Sequence, residues 1–201
     1  MRKLSAFNPE CQAESVSSKA LVALERVSQA FRVMLWNEGK LYGLSPIQIQ
    51  LLTFLLHFPE EKRTVTFLAG FFNMTKATIS DAVKALESKS YLTRKVVATD
   101  SRSSSLHLTR EGKAIARKVE KFADPLHNII DQLPGKEQGL LLEQLQQVIQ
   151  QLSSEQILSV QSMCLNCVHY FKKKGHYCNA FKTSLTNAEL RFECELFESG
   201  F

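Results

Sequence analysis

Four cysteines crowd one end of this 201-residue sequence. Cys164, Cys167, Cys178 and Cys194 follow the spacing C-x2-C-x10-C-x15-C, and Cys11 stands alone near the start. Thiolates are soft ligands for zinc and for iron–sulfur clusters. Four of them within 31 residues predict a four-thiolate metal site. Two other readings of the same residues are a set of small buried hydrophobes and a redox-switched disulfide pair. Zinc ribbons usually supply two tight C-x2-C knuckles, whereas here only Cys164-Leu-Asn-Cys167 is tight. Tyr170, Phe171, Tyr177, Phe181, Phe192 and Phe197 would supply an apolar shell, which doubles as the core of a tiny domain. With four cysteines available, His169 and His176 read as supporting or exposed groups. Lys172-Lys173-Lys174 reads as a solvated turn.

A second kind of chemistry lies in residues 75–121, with 11 Lys or Arg against 5 Asp or Glu. That net of +6 exceeds the +5 of the whole chain, so the rest sums to −1. Concentrated positive charge is an electrostatic footprint for a polyanion such as DNA. A nucleophile–base set, a phosphate loop and a cofactor fingerprint are all missing from the sequence, which therefore reads as a non-enzyme.

Elements must position both groups. Thr75 is a candidate N-cap. Ile79, Ala82, Val83 and Leu86 recur at helical spacing and predict an inward face. Lys76, Ala77, Thr78, Ser80, Asp81 and Lys84 then face outward. Leu92–Val97 and Leu106–Leu108 read as strands separated by a polar turn over Ala98–Ser105. Thr109-Arg-Glu-Gly reopens a helix. A small-faced helix fits a DNA major groove, and a basic hairpin tip beside it reaches the flanking minor groove. A solvated helix and hairpin on any α+β domain would look the same.

Upstream, residues 1–14 read as a loose lead-in. A long helix follows from Ser15, with a stripe of Leu21, Leu24, Val27, Phe31, Met34 and Leu35. Ser45 and Pro46 open a further helix whose predicted core is Ile47, Leu51, Leu52, Leu55 and Phe58. Thr64 to Phe72 is another, with Val65, Leu68 and Ala69 inward. Downstream of Gly112 a helix runs past Asp124-Pro125, where a bend is expected, until Pro134-Gly135 breaks it. The helix Lys136–Leu152 carries a packing stripe of Leu141, Leu145, Val148 and Leu152, with its glutamines on a solvated face. Ile157, Leu158 and Val160 extend it to about Ser162.

Thr75-x-x-Thr78-Ile79, Leu86-Glu87, Asp100-x-Arg102 and Leu108-Thr109-x-x-Gly112 together resemble the winged helix-turn-helix of the MarR family of bacterial transcriptional regulators. The resemblance covers roughly residues 15–155. It implies a homodimer, one recognition helix and one wing per subunit, and a pseudo-palindromic operator on double-stranded DNA. Arg102 would enter the minor groove, with Asp100 orienting it. Arg94, Lys95, Arg110 and Lys113 would contact phosphates. Two positions depart from the family's pattern. Asp81 stands where a basic or neutral residue is common; it either accepts from cytosine N4 or repels phosphate. Ser90 stands where glycine is common after the recognition helix, at a left-handed cap. The tail, C164LNCVHYFKKKGHYC178 with C194ELF197, resembles small high-potential-iron-protein-like modules that hold a [4Fe–4S] cluster.

These observations predict a mainly α fold with a small β-hairpin wing. Residues 15–155 would form a winged helix-turn-helix with dimerisation helices, its DNA-binding core at about 44–112. Residues 163–201 would form a metal-binding tail. The expected function is a DNA-binding regulator, leaning to repression, whose iron–sulfur tail senses redox state or reactive gases. Its alternatives are a structural zinc tail with a thiol or small-molecule effector, and a winged-helix module that binds only protein. Met1-Arg-Lys runs into a mixed polar stretch rather than an apolar core. No apolar run reaches the roughly 18 residues of a membrane helix. A cytoplasmic, reducing location is therefore expected, in which structural disulfides are uncommon.

Overall fold

The computed structural model describes residues 5–97, 100–159, 162–172 and 175–200, and for 96–97 and 100–103 the backbone alone. The chain forms two compact units, Met1–Thr64 with Ser80–Pro125, and Val65–Ile79 with Leu126–Phe201. Among the described residues, no helix is long and apolar enough to cross a membrane.

The first unit opens with α1 (Pro9–Glu14), where a loose lead-in was expected. Proline at the first helical position and Asn8, whose Oδ1 accepts from the Glu10 N–H at 2.8 Å, are enough to start a short helix. Helix α2 (Val16–Tyr42) is capped by the Ser15 hydroxyl and ends at Gly43 in the left-handed region, φ 62°. Gly39 lies one turn earlier, where a Cβ would run into the Leu44 carbonyl.

Helix α3 (Pro46–His57) starts in a capping box: Ser45 Oγ accepts from the Gln48 N–H, and Gln48 Oε1 accepts from the Ser45 N–H. It packs against α2, the helix Arg110–Val119 and the second wing strand. Ile49, Leu51, Leu52, Phe54 and Leu55 are all buried. The expected core missed Ile49 and Phe54, and named Ile47 and Phe58, which are half-buried. A helix covered on several sides has no single stripe to read.

Strands β1 (Leu92–Val97) and β2 (Asp100–Leu108) pair antiparallel from Leu92↔Leu108 to Val96↔Ser104, with a register shift before Val97↔Asp100. The second strand is longer than Leu106–Leu108. Its Asp-Ser-Arg-Ser-Ser-Ser composition suggested a turn, but a ladder is made by backbone groups and tolerates polar side chains. Helix α6 (Arg110–Val119) gives way to a 3-10 segment, Glu120–Ala123, before Pro125. The expected bend thus takes the form of a tightened turn, because Pro125 has no N–H to continue the α ladder.

The second unit contains α4 (Val65–Phe71), α8 (Gly135–Ser154) and most of α7 (Asp124–Asp131). Leu68 and Ala69 are buried, while Val65 is half-buried. Helix α8 stops short of the expected Ser162. Gln156 takes a left-handed φ of 59°, and the Ile157 N–H closes back on the Leu152 carbonyl at 2.9 Å. Val160 lies outside the described residues. Gln146 is buried and Gln150 half-buried, so the glutamine face is only partly solvated.

The tail forms a three-stranded antiparallel sheet in the order β3 (Tyr170–Lys172), β4 (His176–Cys178), β5 (Thr183–Leu185). The end of the tail folds back over the tail's own first residues. Cys194 N–H donates to the Ser162 carbonyl and Cys164 N–H to the Arg191 carbonyl, both at 3.0 Å. Gly200 N–H donates to the Asn166 carbonyl at 2.9 Å. Lys173 and Lys174 lie outside the described residues.

Candidate nucleic-acid interface and metal centre

Helix α5 (Lys76–Ser88) is amphipathic in the manner its spacing demands. Ile79, Val83 and Leu86 are fully buried and Ala82 nearly so. Each full burial of such a side chain contributes about 1.5–3 kcal/mol, which fixes the helix's rotation about its own axis. Lys76, Ala77, Thr78, Asp81 and Lys84 are thereby left exposed, and Ser80 half-exposed. Thr75 caps the start, its Oγ1 accepting from the Thr78 N–H at 3.1 Å. Asp81 forms an ion pair with Lys84 at 3.3 Å, so the atypical carboxylate has a cation one turn on.

The far end of α5 shows how the family-like motif after the wing works. Ser90 takes φ 60°; its N–H donates to the Glu87 carbonyl and the Tyr91 N–H to the Leu86 carbonyl. That is a Schellman closure with serine in the left-handed seat. Thr109 then bridges two elements. Its hydroxyl donates to the Ser90 carbonyl at 2.8 Å, and the same oxygen accepts from the Gly112 N–H at 2.9 Å as the cap of α6. A Cβ on Gly112 would drive into the carbonyl of Tyr91. Thr-x-x-Gly is therefore a docking device that locks the start of α6 onto the turn after α5.

Arg94 Nε donates to both carboxylate oxygens of Glu87, at 3.0 and 3.2 Å, which ties β1 to α5. Lys95, Arg110 and Lys113 are exposed. The side chains of Asp100 and Arg102 lie outside the described residues.

In the tail, all four cysteines line one cavity, together with His169, Tyr170, Ala180, Leu185 and Leu196. Cys164, Cys178 and Cys194 are buried and Cys167 is half-buried. None of the five cysteines is in a disulfide. Burial pushes the Cys164 thiol up, the Arg191 N–H pulls it down, and the sulfurs of Cys194, Cys178 and Cys167 raise it further. The Arg191 N–H donates to Cys164 Sγ at 3.3 Å. Four thiolates could not all stay charged in so apolar a place without cationic charge between them, which a metal would supply. The donor set, the apolar lining and the N–H···S bond all fit a metal–thiolate centre. Among the described residues, no three His, Cys, Asp or Glu converge as ligands of a single ion.

The expected aromatic shell is different in kind. Of the six aromatic residues only Tyr170 lines the cavity; Phe171, Tyr177, Phe181 and Phe192 are substantially exposed and Phe197 is half-buried. His169 and the aliphatic Ala180, Leu185 and Leu196 supply the rest of the lining. Sequence reasoning missed the outer polar network. Tyr170 Oη and His176 Nδ1 share a hydrogen bond of 2.6 Å, His176 Nε2 meets Asn187 Oδ1, and Asn187 Nδ2 donates to Glu143 of α8 at 3.2 Å. Gln150 of α8 donates to the Leu165 carbonyl inside the Cys164–Cys167 knuckle at 2.7 Å. His169 meets Glu198 at 3.3 Å.

Large apolar side chains remain uncovered on several helices, α2 and α8 among them. On α2 these include Leu21, Leu24, Val27 and Trp36; on α8, Leu140, Leu141 and Val148.

Residues 42–103 match the model of the MarR family. The MarR-type segment thus takes in α3, α4, α5 and most of the wing. Solved structures agree on the fold. The chain is similar to the S. aureus MepR–DNA complex, at 20% identity over 65% of this chain and 96% of that one, with a TM-score of 0.59. It is similar to Streptococcus pneumoniae FabT in complex with DNA, at 22% over 68% and 98%, with a TM-score of 0.55. It is similar also to a MarR protein from Peptoclostridium difficile DA00132, at 19% over 71% and 92%, with a TM-score of 0.61. No curated sequence matches this chain. At these identities the likeness establishes a MarR-type winged-helix fold, mainly helical with small antiparallel sheets.

Proposed function

We propose that this protein is a homodimeric transcriptional regulator that binds double-stranded DNA. The observation that carries the reading is the exposed face of α5, set by a buried apolar face within a MarR-type winged helix. Lys76, Ala77, Thr78, Ser80, Asp81 and Lys84 read the major groove. Arg102 enters the minor groove beside Asp100. Arg94, Lys95, Arg110 and Lys113 contact phosphates. The MepR and FabT structures, solved with DNA, support this use of the fold. The uncovered apolar residues of α2 and α8 support a second copy as their cover. Lys95→Ala is expected to reduce the slope of log affinity against log salt by about 1. A slope unchanged at equal affinity would remove Lys95 from the interface.

We further propose that Cys164, Cys167, Cys178 and Cys194 hold a [4Fe–4S] cluster whose state tunes DNA affinity. Each thiolate of such a cluster binds its own iron, so its ligands line a common cavity without converging on one point, and these four cysteines line one cavity. The cluster would supply one-electron redox chemistry and sensitivity to oxygen or reactive gases. This chain's own part is to exclude water with Tyr170, Leu185 and Leu196, and to donate the Arg191 N–H to Cys164 Sγ. Zinc held by the same four thiolates is the second reading. Protein purified without oxygen should be brown, absorb at about 400 nm and contain iron and sulfide in roughly equal amounts. A colourless protein with about one zinc per chain would replace sensing with a structural or thiol-switch role.

A further inference from the structure

The turn that aims the recognition helix is held by a residue from outside the winged helix. Helix α4 closes on Asn73, which takes a left-handed φ of 50°. Its N–H donates to the Gly70 carbonyl at 3.1 Å and the Met74 N–H to the Ala69 carbonyl at 2.9 Å. Thr75, two residues on from Asn73, caps α5. The shape of this turn therefore sets where the first turn of α5 points, and that turn carries Lys76, Ala77 and Thr78.

Ser159 grips the turn with both of its donors. Its N–H donates to Asn73 Oδ1 at 2.8 Å, and its hydroxyl to the Gly70 carbonyl at 2.8 Å. Gly70 thus spends one lone pair on the turn's own hydrogen bond and the other on Ser159. Ser159 sits between the end of α8 and the cysteine module. The module is anchored on both sides of it. Gln150 and Glu143 hold the knuckle and Asn187 to α8, while the Cys194 N–H holds the Ser162 carbonyl, three residues beyond Ser159.

We propose that Ser159 is a positioning residue for the recognition helix, through which the state of the cysteine centre reaches DNA. The proposal deepens the regulator reading and rests on it. While the centre is intact, the 162–164 and 191–194 segments stay paired and Ser159 stays seated on Gly70 and Asn73. When the centre is dismantled, that pairing loosens, Ser159 leaves the turn, and the first turn of α5 loses its fixed direction. Operator affinity falls because the free turn must be ordered again on binding.

The test uses full-length protein and its selected operator duplex. The centre is left intact or dismantled with EDTA and ferricyanide, and affinities are compared at one salt concentration. Wild type should bind at least about tenfold more weakly once dismantled, a difference of roughly 1.4 kcal/mol. In the double variant Ser159→Ala, Asn73→Gly, the ratio between the two states should fall towards one. Glycine keeps the left-handed seat and removes only the acceptor. Asn73→Asp keeps both seat and acceptor and should retain the wild-type ratio. Exchange of the Asn73 and Met74 amides, read in wild type alone, should quicken when the centre is dismantled. A double variant that keeps the wild-type ratio overturns the clamp, as does a wild-type ratio of one with tight binding in both states. Wild type that binds no duplex in either state overturns the DNA reading itself, a different result.

Discussion

Single residues at Ser90, Gly112 and Asp81 set the ends and the exposed charge of the α5 region. Serine in the left-handed seat after α5 costs about 1 kcal/mol relative to glycine, so Ser90→Gly should raise unfolding stability by about that amount in urea titrations. An unchanged midpoint would mean that another contact offsets the strain. Gly112→Ala should act the other way, costing about 3 kcal/mol, because the intruding Cβ meets backbone rather than a flexible side chain. Both roles were legible only in part. Ser90 and Gly112 stood out by resemblance, but the carbonyl of Tyr91 that forbids a side chain at Gly112 is 21 residues away and has no signature in sequence. At Asp81, the ion pair with Lys84 makes the carboxylate less repulsive to phosphate than its charge suggests. Asp81→Asn should strengthen binding to random duplex at low salt and alter the preferred base at one operator position. Loss of affinity for random duplex would show that Asp81 contributes through a partner other than Lys84.

Amphipathic elements were the readable ones. The inward residues of α5 and the cap of α3 follow from spacing and from Ser-Pro-x-Gln, since one buried face and one local cap decide each. Helix α3 itself resisted, because burial on several faces erases periodicity. The long β2 strand resisted because its serines describe a surface, while backbone pairing describes the strand. The early end of α8 depends on one left-handed residue, Gln156, that nothing in its type announces. For the wing, Arg102→Ala should weaken operator binding and relax base preference in the flanking minor groove. Unchanged affinity at fixed salt would remove the wing from the interface.

Across the whole molecule, the grouping of residues 65–79 with 126–201 could not be read from any local pattern. It depends on contacts such as Ser159 with Gly70, 89 positions apart. The four cysteines were legible as a set by type and spacing, yet their aliphatic lining was not, because Ala180, Leu185 and Leu196 come together only through the tail's sheet and its returning end. Uncovered Leu21, Leu24 and Val27 on α2 belong to this scale too. Leu24→Glu should shift sedimentation from dimer to monomer; a dimer that persists would place its interface elsewhere. Selecting bound duplexes from a random pool with the full-length protein decides whether α5 reads DNA. A DNA-reading α5 should enrich a pseudo-palindrome with half-sites about one helical turn apart, and the Thr78→Ala, Lys84→Ala variant should lose it. A pool that stays random, with no duplex bound even at low salt, would contradict it.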